Sequence, residues 1–148
     1  MKNVTVPIGT AANAIGISPK VIRRWLDHGV IELRRNDVRS RGTGSYCGLS
    51  RNRVMQIAIT HRLAEIGLSP KRAAKAAFQF TDIADLDREP CALHHFGQTV
   101  LVIGADRCRI ANTGFDAGIA DFVPAAAILD LNTICASVDA ALKENACL

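Results

Sequence analysis

The sequence predicts an α+β fold: a helical N-terminal half carrying a β-hairpin, then a smaller sheet-plus-helix unit. Three observations carry that expectation. Helical periodicity recurs between residues 8 and 80, with Ser18, Ser50 and Ser69 as start signals and Gly16, Gly29 and Gly67 as stops. Strand-like segments at 98–103 and 107–111 then precede an amphipathic stretch at 133–144. The charge divides at the same place: residues 1–80 hold 14 Lys and Arg against 4 Asp and Glu, and residues 81–148 hold 4 against 10. A basic half joined to an acidic half points to a polyanionic partner for the first and not for the second.

The most informative segment is Ile17–Gly29. Ser18 suits an N-cap, Pro19 the first helical position, and Gly29 the left-handed residue that ends a helix. Ile22, Trp25, Leu26 and Gly29 recur at the spacing of one buried stripe, and Lys20, Arg23, Arg24 and Asp27 repeat that spacing on another side. A short helix with a packed back and a cationic front suits the major groove of DNA. An ordinary solvated basic face is the alternative. Upstream, Ile8, Ala11, Ala12 and Ile15 mark one face of a first helix that Gly16 ends. Two short helices joined by a glycine-containing turn make a helix-turn-helix, or else an αα-hairpin with a packing role alone.

After Gly29, Val30–Arg34 alternates as a strand does, and Arg35–Ser45 is polar, basic and glycine-rich. With a second short strand at Ser45–Cys47, residues 31–49 read as a hairpin with a long tip, a wing. Arg34, Arg35, Arg39 and Arg41 would bring cations to a DNA backbone or minor groove, unless the loop is a loose connector. A longer helix from Ser50 to Gly67 has a broad apolar surface, with Arg51, Arg53 and Arg62 flanking it. The fourth helix opens at Ser69-Pro70 and places Lys71 and Arg72 in its first turn. The helix dipole attracts anions there, so a nearby phosphate would relieve the unfavourable placement.

These motifs together resemble the MerR family of bacterial transcription regulators over residues 8–75. Ile8-Gly9-Thr10-Ala11-Ala12 with Gly16-Ile17-Ser18 is similar to the family's opening helix and turn. Val21-Ile22-Arg23-Arg24-Trp25 through Gly29-Val30-Ile31 resembles its T-I-R-Y-Y-E-x-x-G-L-L signature, with Arg24 and Trp25 at the two aromatic positions. Leu63–Ser69 resembles the L-x-x-L-G-F-S that joins its third and fourth helices. The resemblance implies a winged helix-turn-helix of four helices plus a β-hairpin wing, with Ser18–His28 as recognition helix. Two departures stand out. The wing's usual Y-R-x-Y-S is here Tyr46-Cys47-Gly48-Leu49-Ser50, so the arginine's phosphate contact does not carry over while Tyr46 stays a candidate. The family's long dimerisation coiled coil is replaced by Thr81–Pro90, with four acidic residues and a proline.

The expected organisation is therefore a DNA-binding domain at 1–80, an acidic linker at 81–97 and a small α+β dimerisation unit at 98–148. In that unit Gln98–Ile103 and Arg107–Ala111 form a hairpin through Gly104-Ala105-Asp106. Asn112–Val123 reads as loop, Ala126–Leu131 as a third strand, and Asn132 as cap of a last helix Thr133–Glu144. One continuous helix from Pro124 is the alternative. So small a unit buries little core alone, and its sheet edges and apolar helix face predict a homodimer.

No enzyme constellation is found: neither a phosphate-cradling loop followed by lysine nor a serine nucleophile elbow. Five cysteines without CxxC spacing read as reduced packing thiols, with a thiol-based metal or redox sensor as the alternative. Cys91, His94 and His95 are three potential ligands, but a structural zinc would need a fourth from elsewhere; the histidines read as partly buried or surface imidazoles, and neither metal nor cofactor is expected. No apolar run reaches the roughly 18 residues of a membrane span, and the first residues lack a secretory signal, which predicts a cytoplasmic protein. The expected function is that of a sequence-specific double-stranded DNA-binding transcription regulator acting as a homodimer. Lys20, Arg23 and Arg24 would face the groove; Arg34, Arg35, Arg39, Arg41, Tyr46, Lys71 and Arg72 would meet the backbone. Ile22, Trp25 and Leu26 would fix the helix to the core. RNA polymerase is a candidate partner by resemblance. The alternatives are a protein-interaction or ligand-sensing module built on the second half, and an excisionase-like DNA-bending factor.

Overall fold

The structure, a computed structural model, describes residues 4–39, 47–85, 87–113 and 126–146. Strand β1 (Thr5–Pro7) leads straight into helix α1 (Ile8–Ile15), which ends where Gly16 takes φ 85° and donates its N–H to the Ala12 carbonyl. Helix α2 (Pro19–Asp27) starts under the Ser18 hydroxyl, which accepts the Lys20 N–H at 3.3 Å. Strand β2 (Gly48–Ser50) pairs antiparallel with β1 and runs directly into α3 (Arg51–Glu65). Ser69 caps α4 (Pro70–Thr81). An antiparallel sheet of order β4-β3-β5 follows, built from β3 (Thr99–Ile103), β4 (Cys108–Asn112) and β5 (Ala127–Asp130), and α5 (Leu131–Ala146) closes the chain's described part.

Several expectations need correction. Val30–Arg34 forms no strand. Arg34–Asp37 closes instead as a turn, with the Asp37 N–H on the Arg34 carbonyl at 3.0 Å, and a single bridge joins Val38 to Gly48. The strand that was to complete the hairpin lies later, at Gly48–Ser50, and gives its ladder to β1. Ser45 and Tyr46 lie outside the described residues. The last helix begins at Leu131 and is capped by Asp130, whose carboxylate accepts from the Asn132 and Thr133 N–H groups at 2.9 and 3.3 Å. Asn132 is not the cap: its Oδ1 accepts the Thr99 N–H at 2.7 Å and ties α5 to β3. Because β5 occupies 127–130, a continuous helix from Pro124 is not formed. Of the loop expected at 112–123, residues 114–123 lie outside the description, and Asn112 belongs to β4.

A single apolar cluster joins the two halves. Ile22, Trp25, Leu49, Ile57, Leu63 and Phe80 share it with Leu101, Leu131, Cys135 and Val138. Helix α5 packs on α1 and α3, while β3 and β4 pack on α4. The apolar face of α5 thus finds its cover within its own chain. Polar clasps reinforce the seam: Arg51 grips Asp139 through two bonds of 2.8 Å, and Asn13 meets Asn145 at 3.2 Å. The acidic stretch after α4 is held by Arg88, which is buried. Its guanidinium donates to the carbonyls of Phe80, Ile83 and Glu89 at 2.9–3.0 Å and pairs with Asp85. It thereby satisfies carbonyls that the end of α4 leaves without helical partners.

Arg53, expected on the flank of α3, is 1 % exposed. Its guanidinium meets Asp37 at 3.1 Å, Asp82 at 2.8 and 3.1 Å, and the Gln56 carbonyl oxygen. Burial pushes the Asp37 carboxyl up. Hydrogen bonds from the Arg34 and Ser50 N–H groups, the Ser50 hydroxyl and Arg53 outweigh that, leaving it below the ordinary carboxylate range. Removing one member of a sealed ion pair strands the other charge. Arg53→Met is therefore expected to destabilise the fold by about 3–5 kcal/mol in urea unfolding. With its folded value depressed, Asp37 contributes fully above about pH 4, the unfolded value, and loses that contribution as pH falls through the folded value. An acid titration followed by circular dichroism should show stability falling below about pH 4, and less steeply in Asp37→Asn.

Candidate nucleic-acid interface

Helix α2 separates its faces as its periodicity requires. Ile22 is fully buried and Trp25 is 6 % exposed, Leu26 is half-buried against the same core, and Lys20, Arg23 and Arg24 are exposed. The Trp25 carbonyl accepts the N–H groups of Val30 and Ile31 at 2.9 and 3.1 Å, so the chain leaving α2 is fixed at once and buries Ile31. That return carries Arg34, Arg35 and Arg39 onto the surface beside α2 and α4. Arg34 pairs with Glu32 at 3.2 Å and lays its guanidinium 4.8 Å from the Phe78 ring centroid, a cation–π contact with α4.

Two adjoining clefts show which cations the fold brings together. One, between α1, α2 and the return segment, is lined by Arg23, Asp27, Glu32 and Arg39. The other, between the return segment and α4, is lined by Glu32, Arg34, Lys71, Lys75 and Phe78. Both include Gly29 and Glu32, so these five cations border one continuous margin. Among the described residues the side chains of Lys20, Arg23, Arg24, Arg35, Arg39, Lys71 and Lys75 make no hydrogen bond or ion pair. Lys75 was not among the expected site residues; its i, i+4 spacing from Lys71 on α4 is the signal that placed it within reach. Arg72 is committed elsewhere, to the carbonyls of Gly104 and, at 2.9 Å, Ala105 in the β3–β4 turn. That internal use accounts for a cation in the first turn of α4 without a phosphate. Arg41 and Tyr46 lie outside the described residues.

The thiols and imidazoles assemble no metal site among the described residues. Burial pushes the Cys91 thiol up to about 12 and the Cys135 thiol up to about 11, which keeps both protonated at neutral pH. Among the described residues Cys91, Cys108 and Cys135 form no disulfide. His94 turns to Thr99, its N–H donating to the hydroxyl at 2.8 Å and its Nδ1 lying 3.1 Å from the same oxygen.

The profile of the MerR HTH family of regulatory proteins matches residues 6–78. In its N-terminal part, the chain belongs to the MerR helix-turn-helix family. No curated protein matches the chain. The MerR match runs from β1 to within α4, so the sheet β4-β3-β5 and α5 fall beyond it. This MerR region is of the DNA-binding, transcription-regulating kind. Among the described residues no helix is long and apolar enough to cross a membrane.

The two faces of α2 should respond differently to truncation. Trp25→Ala is expected to lower unfolding stability by about 3–5 kcal/mol through the cavity it leaves. Arg23→Ala, on the exposed side, should change stability by no more than about 0.5 kcal/mol in the same denaturation experiment.

Proposed function

We propose that the protein is a sequence-specific double-stranded DNA-binding transcription regulator that acts as a homodimer without catalytic chemistry, in the cytoplasm. The observation that carries this reading is the α2 front. Lys20, Arg23 and Arg24 are exposed over a buried Ile22–Trp25 back, next to a margin that continues through Arg39, Arg34, Lys71 and Lys75. In it Ser18–His28 is the recognition helix and residues 31–49 are the wing. Lys20, Arg23 and Arg24 enter the major groove, where guanidinium groups pair with guanine edges. Arg34, Arg35, Arg39, Lys71 and Lys75 hold phosphates and set the register. RNA polymerase would be the partner of a promoter-bound form.

With α5 covered by α1 and α3, the sheet edges carry the dimer expectation. Among the described strands β5 pairs with β3 alone, and an open sheet edge accepts a second copy. One observation favours a second reading, an excisionase-like accessory factor that bends DNA. Helix α4 ends at Thr81 and α5 folds back on the same chain, so no extended dimerisation helix projects from the described residues. Nuclease footprinting separates the two. A palindromic protected site supports the dimeric regulator, and an asymmetric one the accessory factor.

Neutralising about six phosphates should give log Kd a dependence on log salt with a slope of magnitude about 5. Fluorescence anisotropy with duplex DNA over a salt series reads it directly, and a flat response rules out the DNA reading. Arg23→Ala is expected to weaken binding by about 1–3 kcal/mol if it reads a base, with the loss concentrated on the preferred sequence.

A further inference from the structure

The turn Arg34–Asp37 exposes Arg34, Arg35 and Asn36 and hides its fourth member. The Asp37 side chain is 0 % exposed. Its Oδ2 accepts from the Arg34 N–H at 2.7 Å and the Arg53 Nε–H at 3.1 Å. Its Oδ1 accepts from the Ser50 N–H and the Ser50 hydroxyl, both at 2.8 Å. One residue on, Val38 exchanges backbone hydrogen bonds of 2.8 and 3.0 Å with Gly48. The turn is therefore fastened at its foot to β2 and to the first turn of α3, both continuous with the core. An exposed carboxylate here would repel a nucleic acid backbone. Sealed against Arg53, it presents no negative surface to it.

We infer that Asp37 is a positioning residue for the DNA interface: its buried carboxylate, clamped between Arg53 and Ser50, holds Arg34, Arg35 and Arg39 in place for phosphate contact. It rests on the reading of the basic margin as a DNA interface. Asp37 touches no DNA and acts through the arginines. Ordering them in advance removes part of the conformational entropy that binding would otherwise have to overcome.

The test is a double-mutant cycle on the full chain, read by duplex-DNA anisotropy over a salt series. It is run below each variant's unfolding transition as checked by circular dichroism. Asp37→Asn keeps the shape but loses the charge. It is expected to weaken binding about tenfold and to reduce the salt slope by about two, the share of two phosphates. Arg39→Ala should weaken the wild type several-fold yet add less than about twofold in the Asp37→Asn background, whereas Arg23→Ala on α2 should add its full loss in both. Asp82→Asn removes the other carboxylate of Arg53 without touching the turn. It should lower stability while leaving affinity and slope unchanged, which a purely structural role for Asp37 would not separate. If Asp37→Asn does not fold, Asp37→Glu carries the same expectation, since it keeps the charge and displaces the turn. Equal losses from Arg39→Ala in both backgrounds, or wild-type affinity and slope in a folded Asp37 variant, overturn this role alone. A wild type that binds no duplex overturns the DNA reading and this role with it.

Discussion

Arg53 stands where three distant stretches of chain converge: the turn after α2, the first turn of α3 and the residue that follows α4. Its guanidinium reaches Asp37 and Asp82 together, and Gln56 extends the network by donating to the Ala74 carbonyl at 3.1 Å. Among the described residues no buried side-chain nitrogen or oxygen lacks a partner. A charge sealed in this way contributes modest net stability, because desolvation offsets most of the attraction. What it supplies is registration. Apolar side chains tolerate sliding, but a planar fork between two carboxylates fits one arrangement. The packing of α3 on α4 and the placement of the arginine-rich turn therefore share one anchor.

The charge asymmetry of the sequence takes a related form in space. Asp82, Asp85 and Asp139, all from the acidic half, are spent on Arg53, Arg88 and Arg51. The carbonyls of Gly104 and Ala105 take Arg72. These cations serve the interior and the seam between halves, and the C-terminal sheet and helix act as a buttress behind the basic margin. Among the described cations of the first half, those whose side chains lack an internal partner are concentrated on α2, the return segment and one side of α4. The positive field that a polyanion would meet is thus narrower than the count of 14 cations suggests.

Local signals were legible in the sequence. Ser18-Pro19 and Ser69-Pro70 mark helix starts, and Gly16, Gly29 and Gly67 take positive φ at the stops, because caps depend on neighbours within a few residues. The two faces of α2 were legible for the same reason, through the helical repeat. Pairings across long separations were not. The partners of Arg53 lie 16 and 29 residues away, and the carbonyls that hold Arg72 lie 32 and 33 residues away. Without them Arg53 looks like a flank of its helix and Arg72 like a phosphate contact. Val30–Arg34 alternates because Ile31 and Leu33 both reach the core, but a side-chain acceptor at Asp37 turns the backbone before a strand can form. The apolar stripe of α5 was visible, whereas its cover was not, since either α1 or a second molecule would satisfy it equally.

The seam between α5 and α1 bears on how this molecule can be divided. Ala14, Ile15 and Ala58 face Ile134 and Val138 across it, and Arg51 is anchored there by Asp139. An excised reading head ending near Phe78 would bare that greasy strip and orphan a guanidinium beside it. Anyone grafting the helix pair onto another protein, or trimming the chain for crystallisation, should carry residues 82–146 along as part of the same folded piece.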